Sequence, residues 1–271
     1  MSISNDPQAA AFTAANLKTR TVLFITGAWM HVSSWDKFRS AFTAAGFETL
    51  APAWPTLEGT PAALRAEPVE GLAQLTFGKL VAHYSAIIKS LDEAPLLVGH
   101  SMGGLIVQLL LDRGLGAAGI VLSPGPVGGA LPGPVSLLSA LPVLLSGPGR
   151  TFTLSRDGFA KNFANTLPAA ELAATYDRYV VPTATNIFYQ AAAMIGTWVH
   201  PKRRQQPLLV IAAEKDRTVT PYLSRASYAV QRRAPVRTDF KQFAGRSHFL
   251  AGEAGWEEVA QAAIDWATEV L

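Results

Sequence analysis

The feature that most constrains this chain is the sequence Gly-His-Ser-Met-Gly-Gly at residues 99–104. It stands between the apolar run 94–98 and a second apolar stretch at 105–111. This order predicts a strand, a very tight turn and a helix, with Ser101 at the apex of the turn. The small glycines let the helix pack close behind the serine, and the helix N-terminus favours an anion at the serine oxygen. The pattern therefore predicts a serine nucleophile whose hydroxyl points out of the edge of the sheet.

Apolar runs typical of strands alternate with helical patterns along most of the chain. The strand-like runs are 21–25, 47–51, 94–98, 119–122, 207–212 and 236–243, and the helical patterns are 35–45, 80–91, 105–111 and 256–270. The first two runs are expected to be buried strands. Strands that alternate with helices predict an α/β fold with a doubly wound, mostly parallel sheet and helices on both faces.

Residues 131–200 interrupt this alternation. The segment is rich in proline in its first part and has no convincing strand pattern. Its helical patterns lie at 159–165, 169–179 and 186–198. We therefore predict a helical lid at 131–200, inserted into a core formed by residues 1–130 and 201–271.

Composition excludes several classes of protein. The chain has 271 residues and no cysteine, which excludes disulfides, thiolate metal sites and a cysteine nucleophile. Its 23 basic and 20 acidic residues are scattered, apart from short basic clusters, so no nucleic-acid partner is expected. No apolar run is long enough to span a bilayer, and the first residues do not resemble an export signal. We expect a cytoplasmic protein with no membrane partner, no metal and no cofactor.

A serine nucleophile needs a base to take its proton and an acceptor that orients the base. Two acidic residues, Glu214 and Asp216, follow the strand at 207–212, and His248 follows the last strand. Reacting groups in open α/β sheets gather at the carboxyl ends of the strands, so these residues can meet Ser101. The histidine next to the serine, at position 100, fits a packing role.

These motifs, in the order Ser, Asp, His, resemble those of the α/β-hydrolase superfamily. The resemblance covers about three quarters of the chain and leaves the lid unassigned. It implies that Ser101 is the nucleophile and His248 the general base and acid. Residues 216–221 resemble the family's acid loop, which favours Asp216 over Glu214 as the orienting carboxylate.

The family also implies an oxyanion hole made of two backbone amides. In this chain these are the N–H groups of Ala28, in the turn after the first strand, and of Met102, which follows the nucleophile. The turn carries Thr26 where the family usually has histidine. Because the donors belong to the backbone, we expect the hole to survive this change.

The phrase Gly27-Ala28-Trp29, followed by Trp35, resembles the subgroup of plant methyl-salicylate-type esterases and hydroxynitrile lyases. In the lyases, threonine stands at the position of Gly27 and lysine follows the catalytic histidine. This chain has Gly27 and Phe249 instead, so the resemblance implies an esterase. The residues expected to border the substrate pocket are Trp29, His31 and Phe249.

The sequence thus predicts a cofactor-free serine hydrolase. It would cleave a carboxylic ester or similar acyl bond of a partly apolar small molecule through an acyl-enzyme. One alternative uses the same triad as a cofactor-free perhydrolase or haloperoxidase, an acyltransferase or a lyase. Another is a non-catalytic small-molecule-binding protein with this fold. The oligomeric state stays open, a homodimer included.

Overall fold

The computed structural model describes residues 19–67 and 69–271. Its strands are β1 (Thr21–Ile25), β2 (Glu48–Leu50), β3 (Leu96–His100), β4 (Ala118–Leu122), β5 (Thr151–Phe152), β6 (Thr183–Ala184), β7 (Leu208–Ala213) and β8 (Thr238–Phe243). Six of them form one sheet in the order β2-β1-β3-β4-β7-β8, and every neighbouring pair is parallel. The predicted parallel α/β sheet is therefore confirmed.

Helices cover both faces of this sheet. They are α1 (Asp36–Ala44), α2 (Pro61–Ala66), α3 (Phe77–Lys89), α4 (Met102–Leu111), α5 (Pro134–Leu145), α6 (Arg156–Gly158), α7 (Ala169–Tyr179), α8 (Asn186–Ala192), α9 (Pro221–Gln231) and α10 (Trp256–Val270). The longest, α10, has 15 residues. Among the described residues, no helix is long and apolar enough to cross a membrane.

The sheet separates two hydrophobic layers because successive side chains of a strand point to opposite faces. In β1, Leu23 and Ile25 join the layer that contains residues of α3, α4 and α9. Val22 and Phe24 point the other way and pack with α1 and α10. All four side chains are fully buried. This double burial explains why β1 reads as a continuous apolar run rather than an alternating one.

The second strand differs from its prediction. It is parallel to β1, as expected, but the expectation that it is buried is wrong. Glu48 is exposed, and Leu50 is 38% exposed. The reason is its place at the edge of the sheet, where one side of the strand has no neighbour.

The chain between β4 and β7 contains α5 to α8 and a short antiparallel pair, β5 with β6. The predicted helix at 169–179 has the bounds of α7, whereas the pattern at 186–198 gives a shorter helix, α8. The sequence did not predict β5, β6 or α5. Helix α5 starts with Pro134, at a position where a helix tolerates proline, and carries Pro142 inside, where proline removes a backbone hydrogen bond.

Candidate active site

Ser101 occupies the sharp turn between β3 and α4. Its backbone has φ 54° and ψ −123°, a strained conformation for a residue with a side chain. The turn is held by a hydrogen bond from the Ser101 N–H to the Leu122 oxygen, at 2.9 Å. A Cβ atom on Gly103 would lie 2.2 Å from the Ile25 oxygen, so only glycine lets α4 approach β1 this closely. The serine is thus presented at the carboxyl end of the sheet.

Asp216, in the loop after β7, is buried and fully engaged. Its Oδ1 accepts hydrogen bonds from the backbone N–H groups of Thr218 and Val219, both at 2.8 Å. Its Oδ2 lies 2.6 Å from His248 Nδ1. Because two backbone N–H groups hold Oδ1 in place, the other carboxylate oxygen, Oδ2, points at the imidazole of His248. A carboxylate held this way orients the ring and stabilises its charged form.

Glu214, the other acidic candidate in this loop, points elsewhere. Its carboxylate accepts from the Gly245 N–H at 2.8 Å, and its side chain is 44% exposed. It therefore braces the loop after β8 and does not contact His248. The geometry favours Asp216 as the partner of the histidine.

His248 is completely buried, with its ring between those of His100 and Phe163 at centroid distances of 4.6 Å each. The contact of Nδ1 with a carboxylate places the proton on that nitrogen, which leaves Nε2 as an acceptor. Within residues 19–67 and 69–271, Nε2 has no hydrogen-bond partner, Ser101 Oγ included. The structure thus brings Asp216 and His248 into direct contact and places Ser101 next to His100, without a serine–histidine hydrogen bond.

A buried carboxylate, Glu253, fixes the loop that carries the histidine. It accepts from the Ser247 N–H at 2.8 Å and from the Ser247 hydroxyl at 2.6 Å. Thr166, from the segment between β4 and β7, donates to the same carboxylate. The backbone of Phe249 also donates to the Phe163 oxygen, at 3.0 Å. Sequence analysis did not find Glu253, although it lies only five residues after His248, because its burial and its bond to Thr166 are tertiary contacts that no local pattern encodes.

The two amides predicted for an oxyanion hole, those of Ala28 and Met102, belong to turns on either side of the serine. In the part of the chain that the structure describes, neither N–H makes a backbone hydrogen bond. Trp29 has φ 64°, and its oxygen accepts from the Val181 N–H at 2.9 Å, which holds the first turn in this unusual conformation. Met102 lines the cavity beside the serine, whereas Ala28 is buried in the first turn.

A cavity of about 140 Å³ opens beside Ser101. Its walls come from the two turns, from α5 and α8, and from the loop after β7. Apolar side chains dominate the lining, among them Trp29, Leu137, Leu144, Phe188 and Leu223. The Trp29 ring stacks on Phe188 at 4.7 Å. Among the described residues, the lining includes hydroxyl groups but no charged side chain.

The other two residues expected in the pocket lie elsewhere. His31 caps the short helix that follows it, and its Nε2 donates to the Gly59 oxygen at 3.0 Å, so its ring is held away from the cavity. Phe249 packs on Phe159, Phe163 and Tyr179. It borders only a second space of about 10 Å³ behind His248, the volume of one water molecule.

A serine turn after β3, an acid after β7 and a histidine after β8, all at one edge of a parallel sheet, define a hydrolase-type α/β protein. Residues 22–262 match the alpha/beta hydrolase family, and the chain belongs to that family. Among curated proteins, no sequence matches this chain.

Solved structures share the fold at low sequence identity. The monoacylglycerol lipase of Paleococcus ferrophilus is 20% identical, with a TM-score of 0.69 over 93% of this chain and 95% of that one. An extracellular alpha/beta-hydrolase from a Paenibacillus species, described as homologous to tobacco salicylic acid binding protein 2, is 19% identical, with a TM-score of 0.66 over 90% and 98%. Polyneuridine aldehyde esterase is 14% identical, with a TM-score of 0.66 over 92% and 100%.

Proposed function

We propose that this chain is a serine hydrolase that cleaves a carboxylic ester, or a similar acyl bond, of a partly apolar small molecule. The observation that carries the proposal is the buried Asp216–His248 pair, whose ring Nε2 has no hydrogen-bond partner among the described residues. This ring packs on His100, the residue before a strained serine that lines an apolar cavity. A strained backbone and a buried, oriented imidazole both lower the free energy of unfolding. A site without a chemical function would need neither of them.

In the first half of the reaction, Ser101 Oγ attacks the ester carbonyl while His248 Nε2 takes the hydroxyl proton. Asp216 stabilises the imidazolium that results. The negative charge on the carbonyl oxygen is bound by the amides of Ala28 and Met102. Each such donor lowers the barrier by about 2.7–4 kcal/mol, because the charge exists only in the transition state. His248 then gives the proton to the leaving alcohol, and an acyl-enzyme remains.

In the second half, a water molecule attacks the acyl carbon and loses a proton to His248 Nε2. The tetrahedral intermediate uses the same two amides. Its collapse returns the proton to Ser101 Oγ and releases the carboxylic acid. No group other than the described residues and water is needed for this cycle.

The cavity supports an uncharged, compact apolar group as one half of the substrate. Its volume of about 140 Å³ is close to that of an engineered apolar cavity of about 150 Å³ that binds benzene. The lining has no charge to pair with an ionised substrate. We expect phenyl-sized or short branched groups to bind better than long chains.

Within the family, we place the chain nearest to the methyl-salicylate-type esterases. The turn Gly27-Ala28-Trp29 and the uncharged Phe249 after His248 support this, as does the shared fold of the Paenibacillus hydrolase.

We also propose that residues 131–200 act as the lid of the site and the remainder as its core, because α5 and α8 supply one wall of the cavity. The expected cytoplasmic location belongs to the same proposal.

The test is hydrolysis of p-nitrophenyl esters by Ser101→Ala and His248→Ala, with Ser90→Ala and His200→Ala as controls on the exposed surface. We expect both site variants to lose nearly all turnover and both controls to keep it. A fluorophosphonate probe should label the wild type but not Ser101→Ala. Substantial turnover by a pure Ser101→Ala preparation, or a folded wild type that neither turns over nor labels, would overturn the proposal.

A further inference from the structure

Helix α5 forms a wall of the cavity with one face, and its other face is not covered by any of the residues that the structure describes. The outward side chains are large and apolar: Val135, Leu138, Leu141 and Leu145 are 49%, 67%, 43% and 77% exposed. They recur every three or four residues, so they form one continuous stripe along the helix. Scattered exposed leucines are ordinary, but a contiguous stripe marks an interaction surface.

The two polar side chains of α5 lie on its inward face, unlike those of an ordinary surface helix. Its two serines, Ser136 and Ser139, line the cavity, and Ser136 is buried. No charged residue lies between positions 134 and 145. The hydroxyl groups, with Leu137 and Leu144, therefore line the cavity, and the outward stripe carries no polar side chain, as expected where the surroundings of the helix are apolar.

The apolar surface continues beyond the helix into residues with both apolar and polar parts. Trp198, 58% exposed, packs across the backbone of Gly128, and Tyr222, 63% exposed, lies beside Gly133 at the start of α5. Tryptophan and tyrosine favour boundaries between water and hydrocarbon, because one end of each side chain is apolar and the other forms hydrogen bonds. Tyr222 thus gives the start of α5 a side chain typical of a lipid interface, and Trp198 adds another on the segment that precedes the helix.

One positive charge, that of Arg150, lies at the C-terminal end of this surface. No Asp or Glu occurs between positions 113 and 156. The exposed side chain of Arg150 folds back over Gly147, just past the C-terminal end of α5. Within the described ranges, Arg150 forms no salt bridge. A cation next to an apolar stripe complements an anionic head group above hydrocarbon chains.

We propose that α5 docks onto a lipid surface that carries anionic head groups, and that the ester cleaved at Ser101 is drawn from that surface. The inference rests on the proposed function and deepens it by naming how the substrate is presented. The sequence predicted no membrane partner because it has no spanning segment. A short helix that lies in the interface needs no such segment.

The experiment is flotation with vesicles of phosphatidylcholine and phosphatidylglycerol in equal parts, and of phosphatidylcholine alone. The variant Leu138→Glu/Leu145→Glu is compared with Leu50→Glu, which changes an exposed leucine on the edge strand β2. We expect the wild type to bind the mixed vesicles, the double variant to bind at least about tenfold more weakly, and the control to bind like the wild type. Arg150→Gln should weaken binding about fivefold on the mixed vesicles only.

Soluble-ester hydrolysis by the double variant should stay within about twofold of the wild type, since neither leucine lines the cavity. Failure of the wild type to bind mixed vesicles, or equal binding by the double variant, would overturn the inference. So would a wild-type dimer in sedimentation velocity that the double variant separates, because the stripe would then belong to a second copy. Vesicle binding is also measured on Ser101→Ala, so a failure of catalysis and a failure of docking are told apart.

Discussion

His100 Nε2 donates a hydrogen bond to the main-chain oxygen of His248 at 2.8 Å, and the two rings pack 4.6 Å apart. Burial, together with the nearby His248, lowers the pKa of His100 well below its usual value of 6.5. The ring of His100 is therefore neutral, and it supports the loop that carries His248. This agrees with the packing role predicted from sequence.

The lowered pKa makes stability depend on pH. The unfolded chain binds a proton at His100 below about pH 6.5, whereas the folded chain does not until a lower pH. The free energy of unfolding should therefore fall as the pH drops below about 6.5, by at most about 1.4 kcal/mol per pH unit from this group. In His100→Asn this part of the slope should disappear, as measured by urea unfolding at several pH values.

The control for this measurement is Ser90→Ala, at an exposed position without an ionisable group. Its stability curve should run parallel to that of the wild type. A His100→Asn curve as steep as the wild-type curve would contradict the assignment of a buried neutral ring.

The two acidic residues after β7 should differ sharply in their effect on activity. In Asp216→Asn, the two backbone donors hold the amide oxygen, so the amide NH₂ faces His248 and disfavours the required tautomer. We expect kcat to fall by about 10⁴-fold. Glu214→Gln removes a half-exposed carboxylate that only braces Gly245, and should leave kcat within about twofold. Steady-state kinetics on a soluble ester measures both; similar losses in the two variants would contradict the choice of Asp216.

The parallel sheet could be predicted from sequence because a strand that is buried on both faces has a continuous apolar sequence, as at 21–25 and 207–212. The bounds of α10 were predicted correctly, because its apolar face is regular. The edge position of β2 could not be predicted, since strand order depends on contacts distant in sequence. Helix α5 was missed because its outward leucines remove the amphipathic pattern on which helix prediction rests.

In the site, the residues near motifs were predictable and those fixed by tertiary contacts were not. Asp216 meets His248 because both follow strands that are neighbours in the sheet. His31 was expected near the pocket from its place after the first turn. Its ring instead bonds to Gly59, 28 residues away, a contact that no local pattern encodes.

The tight approach of α4 to β1 should make Gly103 intolerant of a side chain. A Cβ atom there would lie 2.2 Å from the Ile25 oxygen and 2.6 Å from the Thr26 oxygen, both of which are backbone atoms. We expect Gly103→Ala to destabilise the fold by about 1–3 kcal/mol and to displace Ser101, with a loss of at least about a hundredfold in kcat. Thermal unfolding and ester hydrolysis measure the two effects.

Gly78 in α3 is the matched control. A Cβ atom there meets nothing closer than the Thr76 hydroxyl at 3.7 Å, and the position is exposed. Gly78→Ala should stabilise the protein by about 0.4–1 kcal/mol with unchanged activity. If alanine were tolerated equally at both positions, the close packing behind the serine would be refuted.

Glu253 should act as a positioning residue for His248. Its two carboxylate oxygens hold the Ser247 N–H and hydroxyl, and Thr166 donates to the same group, so it joins the histidine loop to the segment above it. In Glu253→Gln, an amide NH₂ replaces one carboxylate oxygen and faces a group that also donates. One buried hydrogen bond is therefore lost. We expect a loss of about 1–3 kcal/mol in stability. We also expect kcat to fall about tenfold with KM unchanged, because the amount of substrate bound does not depend on the alignment of the ring.

The control is the exposed Glu257→Gln, which should change stability by less than about 0.5 kcal/mol and leave kcat intact. A Glu253→Gln protein that loses stability but keeps its kcat would show that this carboxylate holds the fold together without aligning the histidine.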